Sequence, residues 1–192
     1  MKRSTIQKIS LLFLILISPS LAFAHPGHLH GLVGGLVHPF TGIDHILGML
    51  SMGAWATLRF NKNKFLLFII YILGLIVGGV IGINLKILAS TDFLIALSIG
   101  ITSLFILKDS TTKWYVQLFL TMFFSITHGV AHGSEIASLA NPVTYIFGFL
   151  LSSSILFLLG SYIGNYLKSH SKTKENIAYL LLISAIGLIL EI

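Results

Sequence analysis

The chain has 192 residues, of which 55% are hydrophobic and only 9% are charged. Soluble domains carry about 25% charged residues, so this composition excludes a soluble globular protein and predicts an integral membrane protein. The net charge of +6 does not indicate a nucleic-acid partner, because the basic residues stand at the ends of apolar segments. The chain has no cysteine, which excludes disulfides, thiolate metal sites and cysteine nucleophiles.

The first 24 residues have the pattern of a secretory signal peptide. A basic region, an apolar region and a small-residue cleavage site follow one another at residues 2–8, 9–17 and 22–24. We expect a cleaved signal peptide over 1–24 and a membrane domain over 25–192, and an uncleaved membrane anchor is the alternative. The mature N-terminus then lies outside the cytoplasmic membrane of a bacterium.

The mature chain begins with a short histidine-rich segment, His-Pro-Gly-His-Leu-His. His25, His28 and His30 are candidate metal ligands that would collect an ion outside the membrane. A disordered start with no ligand is the alternative interpretation.

Six apolar segments follow, at residues 32–58, 65–84, 92–107, 114–132, 143–167 and 176–191. A spanning helix needs about 20 apolar residues. We therefore predict an all-α fold, a polytopic membrane bundle of six transmembrane helices. The first segment is expected to restart at Pro39, because proline is well tolerated in the first turn of a helix.

The positive charges predict the orientation of this bundle. Eight Lys and Arg residues fall in the loops on one side, whereas Lys86 alone falls on the other. Cytoplasmic loops carry the excess of basic residues, so both mature termini are expected outside. Trp55 and Trp114 then stand near the inner ends of their segments, where we expect them to act as interfacial anchors.

Glycine recurs every four residues in two segments, at Gly74, Gly78 and Gly82 and again at Gly160 and Gly164. Small residues at this spacing let helices approach closely in lipid. We interpret both faces as helix–helix contacts within the chain. Contact with a second subunit, in a homo-oligomer, is the alternative.

The first segment carries ionisable residues in its predicted outer half, where such residues usually mark a functional site. His38 and His45 are two helical turns apart, and they share a face if the helix is regular there. Asp44 is either a ligand or a carboxylate that orients a ligating imidazole. A salt bridge between helices is the alternative role for Asp44.

The fourth segment carries a second group at the same predicted depth. His128, His132 and Glu135 are spaced by four and three residues, so they share one helix face. Imidazole beside carboxylate suits divalent metals such as Ni²⁺ and Co²⁺, and we interpret all three as candidate ligands. Two core histidines hydrogen-bonded to the backbone and a solvated glutamate are the alternative. Asp92 begins the third segment at the same side and is either a ligand or a helix N-cap.

These motifs resemble a known family. The stretch His-Pro-Phe-Thr-Gly-Ile-Asp-His-Ile-Leu-Gly-Met at 38–49 and the stretch His-Gly-Val-Ala-His-Gly-Ser-Glu at 128–135 are similar to two signatures of the HupE/UreJ nickel permeases. Residues 92–98 resemble a third, weaker motif in which members often have Glu in place of Asp92. Members also often have a histidine in the fifth span where this chain has Phe157.

The resemblance implies a permease for Ni²⁺ or Co²⁺ with no prosthetic group, in which the six motif residues of the two signatures carry transport. An intramembrane metal-dependent hydrolase is the rival hypothesis, because histidine and aspartate can hold a zinc ion that activates water. A membrane metal sensor or chaperone, which binds the ion without moving it, is a third. Loss of metal accumulation in a His132→Ala variant would favour the permease, whereas unchanged accumulation together with a lost lipid or peptide cleavage would favour the hydrolase.

Overall fold

The computed structural model describes residues 31–59, 64–85, 91–108, 113–136 and 141–192. The helices in these ranges are α1 (Gly31–Val37), α2 (Ile43–Arg59), α3 (Lys64–Leu85), α4 (Thr91–Leu107), α5 (Trp114–Ile136), α6 (Pro142–Leu167) and α7 (Ser171–Glu191). The described part of the chain is thus all-helical, as predicted. The predicted signal peptide and the three histidines at 25, 28 and 30 lie outside the described residues.

The first predicted segment is broken into two helices. A 3₁₀ turn, His38–Phe40, separates α1 from α2 and carries Pro39 in its first turn. Proline has no N–H to donate to the preceding turn of a helix, and the chain resumes an α-helix only at Ile43. The expected break after a short first helix is confirmed, but the α-helix restarts at Ile43 and not at Pro39, which lies inside the 3₁₀ turn.

Within the described ranges, three helices are long and apolar enough to cross a membrane: Phe65–Leu85, Pro142–Leu167 and Ser171–Glu191. Shorter apolar helices, among them Thr91–Leu107, accompany them. Large apolar side chains point outward from several helices, for example Phe119, which is 66% exposed, and Val143, which is 74% exposed. An apolar outer surface of this kind suits contact with lipid.

α3 and α5 form the closest helix pair, and glycines on both sides make the approach possible. A Cβ atom added at Gly78 would overlap the carbonyl oxygen of Ile126, and one at Gly133 would overlap the carbonyl oxygen of Gly79. No side chain fits between the two backbones at these points. The predicted glycine face of the second segment is therefore a contact within the chain.

α6 packs along α1 and α2 through a second glycine seam. A Cβ at Gly160 would overlap the carbonyl oxygen of Leu50, and a Cβ at Gly164 would lie 2.5 Å from the carbonyl oxygen of Ala54. The other predicted glycine face thus also packs within the chain.

α4 lies between α2 and α7, and its contact with α2 corrects one expectation. Trp55 is completely buried, and its ring stacks on Phe105 of α4 with 5.4 Å between ring centroids. It is a core residue of the helix bundle, so the prediction of an interfacial anchor was wrong for Trp55. Trp114, by contrast, is 52% exposed.

Candidate metal centre

The turn between α1 and α2 sets the position of His38. The backbone N–H and the hydroxyl of Thr41 both donate to the His38 carbonyl oxygen, at 3.0 and 2.7 Å. These bonds close the turn and let α2 begin in a new direction. His38 and His45 consequently face each other across the turn, with 5.7 Å between ring centroids. The continuous helix that would have placed them on one face is absent between them.

His132 of α5 completes a group of three imidazoles. One ring nitrogen from each of His38, His45 and His132 lies within 4.8 Å of the other two. The His132 ring centroid is 4.6 Å from each of the other two centroids. A metal ion bound by imidazole at about 2 Å spans nitrogens up to about 4 Å apart, so small ring rotations would bring these nitrogens onto one ion.

The carboxylate of Asp44 is paired with one of these imidazoles. Its Oδ1 lies 2.7 Å from Nδ1 of His45, and both side chains are largely but not fully covered. A carboxylate on one ring nitrogen fixes the tautomer and orientation of a histidine and leaves the other nitrogen for a metal. Asp44 thus has the geometry of the orienting group, the second of the two roles considered above.

His128 lies one turn further along α5 and is not in the group of three. Its Nδ1 is 3.1 Å from the Phe124 carbonyl oxygen, and its Nε2 is buried with no hydrogen-bond partner among the described residues. The ring sits against Gly48 of α2, where an added Cβ would be 2.9 Å from Nε2. Its centroid is 6.2 Å from that of His45. His128 is therefore a fourth imidazole, deeper in the bundle and next to the first three.

Aromatic side chains of α6 form one wall of this site. The Phe149 ring lies 4.3 Å from the His132 ring, and the Tyr145 ring lies 6.0 Å from the His38 ring. Sequence reasoning missed both residues. Their spacing of four residues places them on one helix face, but nothing in the sequence shows that this face meets the histidines.

The other predicted site residues are placed differently. Asp92 is exposed in the first turn of α4 and is not in the three-histidine group. Glu135 belongs to α5, but its side chain lies outside what the structure describes. Phe157 is fully buried and stacks on Tyr71 of α3 at 4.7 Å. An aromatic pair therefore fills the position where the resembled family often has a histidine.

The chain was compared with known proteins. The profile of the HupE / UreJ protein family matches residues 12–190, which include every segment that supplies the four histidines. Protein HupE of Rhizobium leguminosarum bv. viciae is 33% identical over 154 residues, which cover 80% of this chain and 81% of that protein. No solved structure matches the chain.

Proposed function

We propose a transport function from one premise: the chain belongs to the HupE/UreJ family. Proteins of this family are transporters and not enzymes, and the family is associated with nickel and cobalt uptake. The chain is accordingly a multi-pass membrane protein, and the hydrolase hypothesis is set aside. Its function, in our proposal, is uptake of Ni²⁺ or Co²⁺ through the group formed by His38, His45 and His132.

The geometry of the three imidazoles is the observation that most strongly supports uptake of Ni²⁺ or Co²⁺. Two segments separated by almost 90 residues bring three imidazole nitrogens, ligands of intermediate softness, within 4.8 Å of one another. Neutral imidazole suits Ni²⁺ and Co²⁺, whereas the hard ions Mg²⁺ and Ca²⁺ prefer oxygen. His132 is 1% exposed, so an ion bound there would have left most of its hydration shell.

The ion enters, in this proposal, at the side where α2 begins and α5 ends. It exchanges water for the imidazoles of the group, with Asp44 holding His45 in place and compensating part of the positive charge. His128 then offers the next imidazole, one turn deeper. The chain carries no nucleotide-binding motif, so the ion moves down the membrane potential, which favours cation entry by about 2.3 kcal/mol per charge per 100 mV, or is coupled to protons.

We propose a six-span topology in which both mature termini and the three-histidine group face outside. The unequal distribution of basic residues between the loops supports it. Because the chain has no cysteine, single cysteines introduced at Lys86 and at Lys62 can be labelled without background. A membrane-impermeant thiol reagent should label intact cells at position 86 and not at position 62. The reverse labelling would show that the orientation is wrong.

Transport itself is tested with purified protein in lipid vesicles. We expect vesicles with the wild-type protein to accumulate Ni²⁺ or Co²⁺ under an inside-negative potential, and His132→Ala to reduce the rate about 100-fold or more, because it removes a ligand from the path. His170→Ala is the matched control, since His170 is exposed and contacts Tyr166. Wild-type protein that binds the metal without moving it would instead support the sensor or chaperone hypothesis.

A further inference from the structure

Polar side chains continue inward along the α5 face that carries the histidines. Counting back from His128, this face presents Ser125, Thr121 and Gln117 at intervals of three or four residues. Each of the three side chains is at most 1% exposed. At 1.5 Å per residue, Thr121 and Gln117 lie about 10 and about 16 Å beyond His128 along the helix. A line of buried polar groups therefore runs from the histidines toward the other end of α5.

Gln117 is the most unusual member of this line. Its side chain is 1% exposed, and neither its amide oxygen nor its amide nitrogen has a hydrogen-bond partner among the described residues. Native proteins seldom leave a buried amide unpaired, since an unpaired buried polar group lowers stability. In a membrane protein, polar groups that face the bundle interior commonly line the path of an ion or of water. The Gln117 amide is thus free to bind an ion or a water molecule that passes through the bundle.

Thr121 lies one turn nearer to the histidines than Gln117 does, and its side chain contacts the sulfur atom of Met52 in α2. Its hydroxyl lies 3.9 Å from the Sδ atom of Met52, and Met52 is 3% exposed. α2 and α5 run antiparallel here: His45 lies by His132, Gly48 lies against His128, and Met52 lies against Thr121. Thr121 therefore continues the contact between α2 and α5 inward from the three-histidine group, whereas Ser125 lies against Gly74 of α3.

The side chains of this polar line offer metal ligands that bind a divalent cation less strongly than the imidazoles do. Ser125 donates its hydroxyl hydrogen to the Thr121 carbonyl oxygen at 2.6 Å, so the lone pairs of its hydroxyl oxygen remain as acceptors. An amide oxygen, hydroxyl oxygens and a thioether are neutral ligands that bind a divalent cation more weakly than imidazole with carboxylate does. A permeation path needs sites that are strong enough to admit an ion and weak enough to release it.

We propose that Gln117, Thr121 and Met52 form a second, inner station for the transported cation, which receives it from His128 and releases it toward the inner side of the membrane. This inference rests on the proposed function and deepens it, because the predicted outer ligands alone give no exit for the ion. The station takes a partly hydrated divalent cation, with the Gln117 amide oxygen as its main protein ligand.

The first test separates binding from movement. We expect Gln117→Leu to leave Ni²⁺ affinity at the histidines unchanged in equilibrium binding, and to reduce Ni²⁺ uptake into vesicles about tenfold or more. Ser103→Ala is the control, because Ser103 is equally buried but bonded to the Gly100 carbonyl oxygen of α4. A Gln117→Leu protein that transports like the wild type would overturn the inner station. A wild-type protein that does not transport at all would overturn the proposed function instead.

A second test remains valid even if the Gln117→Leu protein does not fold. Gln117→Cys introduces a single thiol into a chain that has none, and a small water-soluble thiol reagent should modify it more slowly when Ni²⁺ is present. Glu191→Cys is the control, because Glu191 is exposed at the C-terminal end of α7, where the reagent can reach it in water and Ni²⁺ should not protect it. A thiol at 117 that is unreactive, or that reacts equally with and without Ni²⁺, would contradict the inner station.

Discussion

Asp44 and His45 are adjacent in the sequence, and their side chains form a pair in the structure. The carboxylate lies 2.7 Å from Nδ1 of His45, while His45 stands 4.6 Å from His132 across the helix interface. A partner on one nitrogen fixes which nitrogen of an imidazole can face a metal. In the proposed metal centre, the pair with Asp44 would hold His45 in one orientation toward the ion.

Asp44→Asn tests this orienting role. The amide keeps the size of the carboxylate but loses its charge, and we expect Ni²⁺ affinity to fall about 10- to 100-fold, as with other partners of ligating histidines. Equilibrium binding with purified protein measures the effect. Glu175→Gln, an exposed carboxylate on α7, is the control for the change in net charge. An Asp44→Asn protein with wild-type affinity would show that Asp44 does not orient the ligand.

The sequence predicted the positions of individual histidines in the site with different success. His38, His45 and His132 were recognised because ionisable side chains are rare in apolar segments. The spacing argument was less successful for His128, which shares a face with His132 but lies a turn away from the group of three. Spacing within one helix defines a face, and the neighbouring helices decide which part of that face meets the other ligands.

At the scale of helices, the glycines of α5 position the histidines that flank them. A Cβ at Gly129 would overlap the Leu75 carbonyl oxygen, and a Cβ at Gly133 would overlap that of Gly79. The histidine motif therefore contains two positions that hold α5 against α3. The contact fixes the rotation of α5, and this rotation directs His128 and His132 toward α2.

The glycine seam between α2 and α6 gives a stability prediction with an internal control. Gly160→Ala places a methyl group against the Leu50 backbone, and we expect a loss of about 1–3 kcal/mol from the resulting displacement of the helices. Gly187→Ala meets nothing within 4 Å and should be neutral or stabilising by up to about 1 kcal/mol, because alanine favours helix. Thermal unfolding in detergent compares the two. Equal stability of both variants would contradict the close contact.

Helix positions were largely predictable, whereas helix partners were not. Long apolar runs and Pro39 gave the segments and the break in the first of them. The two glycine repeats correctly indicated close contacts, yet a small-residue face carries no information on which helix fills it. Trp55 shows the same limit. Its place near a segment end suggested an interface, but α4 covers it with Phe105.

At the scale of the whole molecule, the bundle has an apolar exterior, and a line of polar side chains lies within its largely apolar core. Large apolar side chains such as Phe119 and Val143 face outward, while Gln117, Thr121 and His132 are almost completely buried. Composition predicted the exterior, because few charges in a long apolar chain require lipid around it. The interior line was not predicted, since isolated Ser, Thr and Gln residues in apolar helices give no signal until the helices are packed.

X-ray absorption at the nickel edge tests most directly whether His38, His45 and His132 hold one ion. We expect one Ni²⁺ per wild-type chain with three imidazole ligands, and one imidazole fewer in His38→Ala and in His132→Ala, while His170→Ala resembles the wild type. A nickel ion surrounded only by oxygen ligands, or a spectrum unchanged by both substitutions, would contradict a metal centre at this point of the bundle.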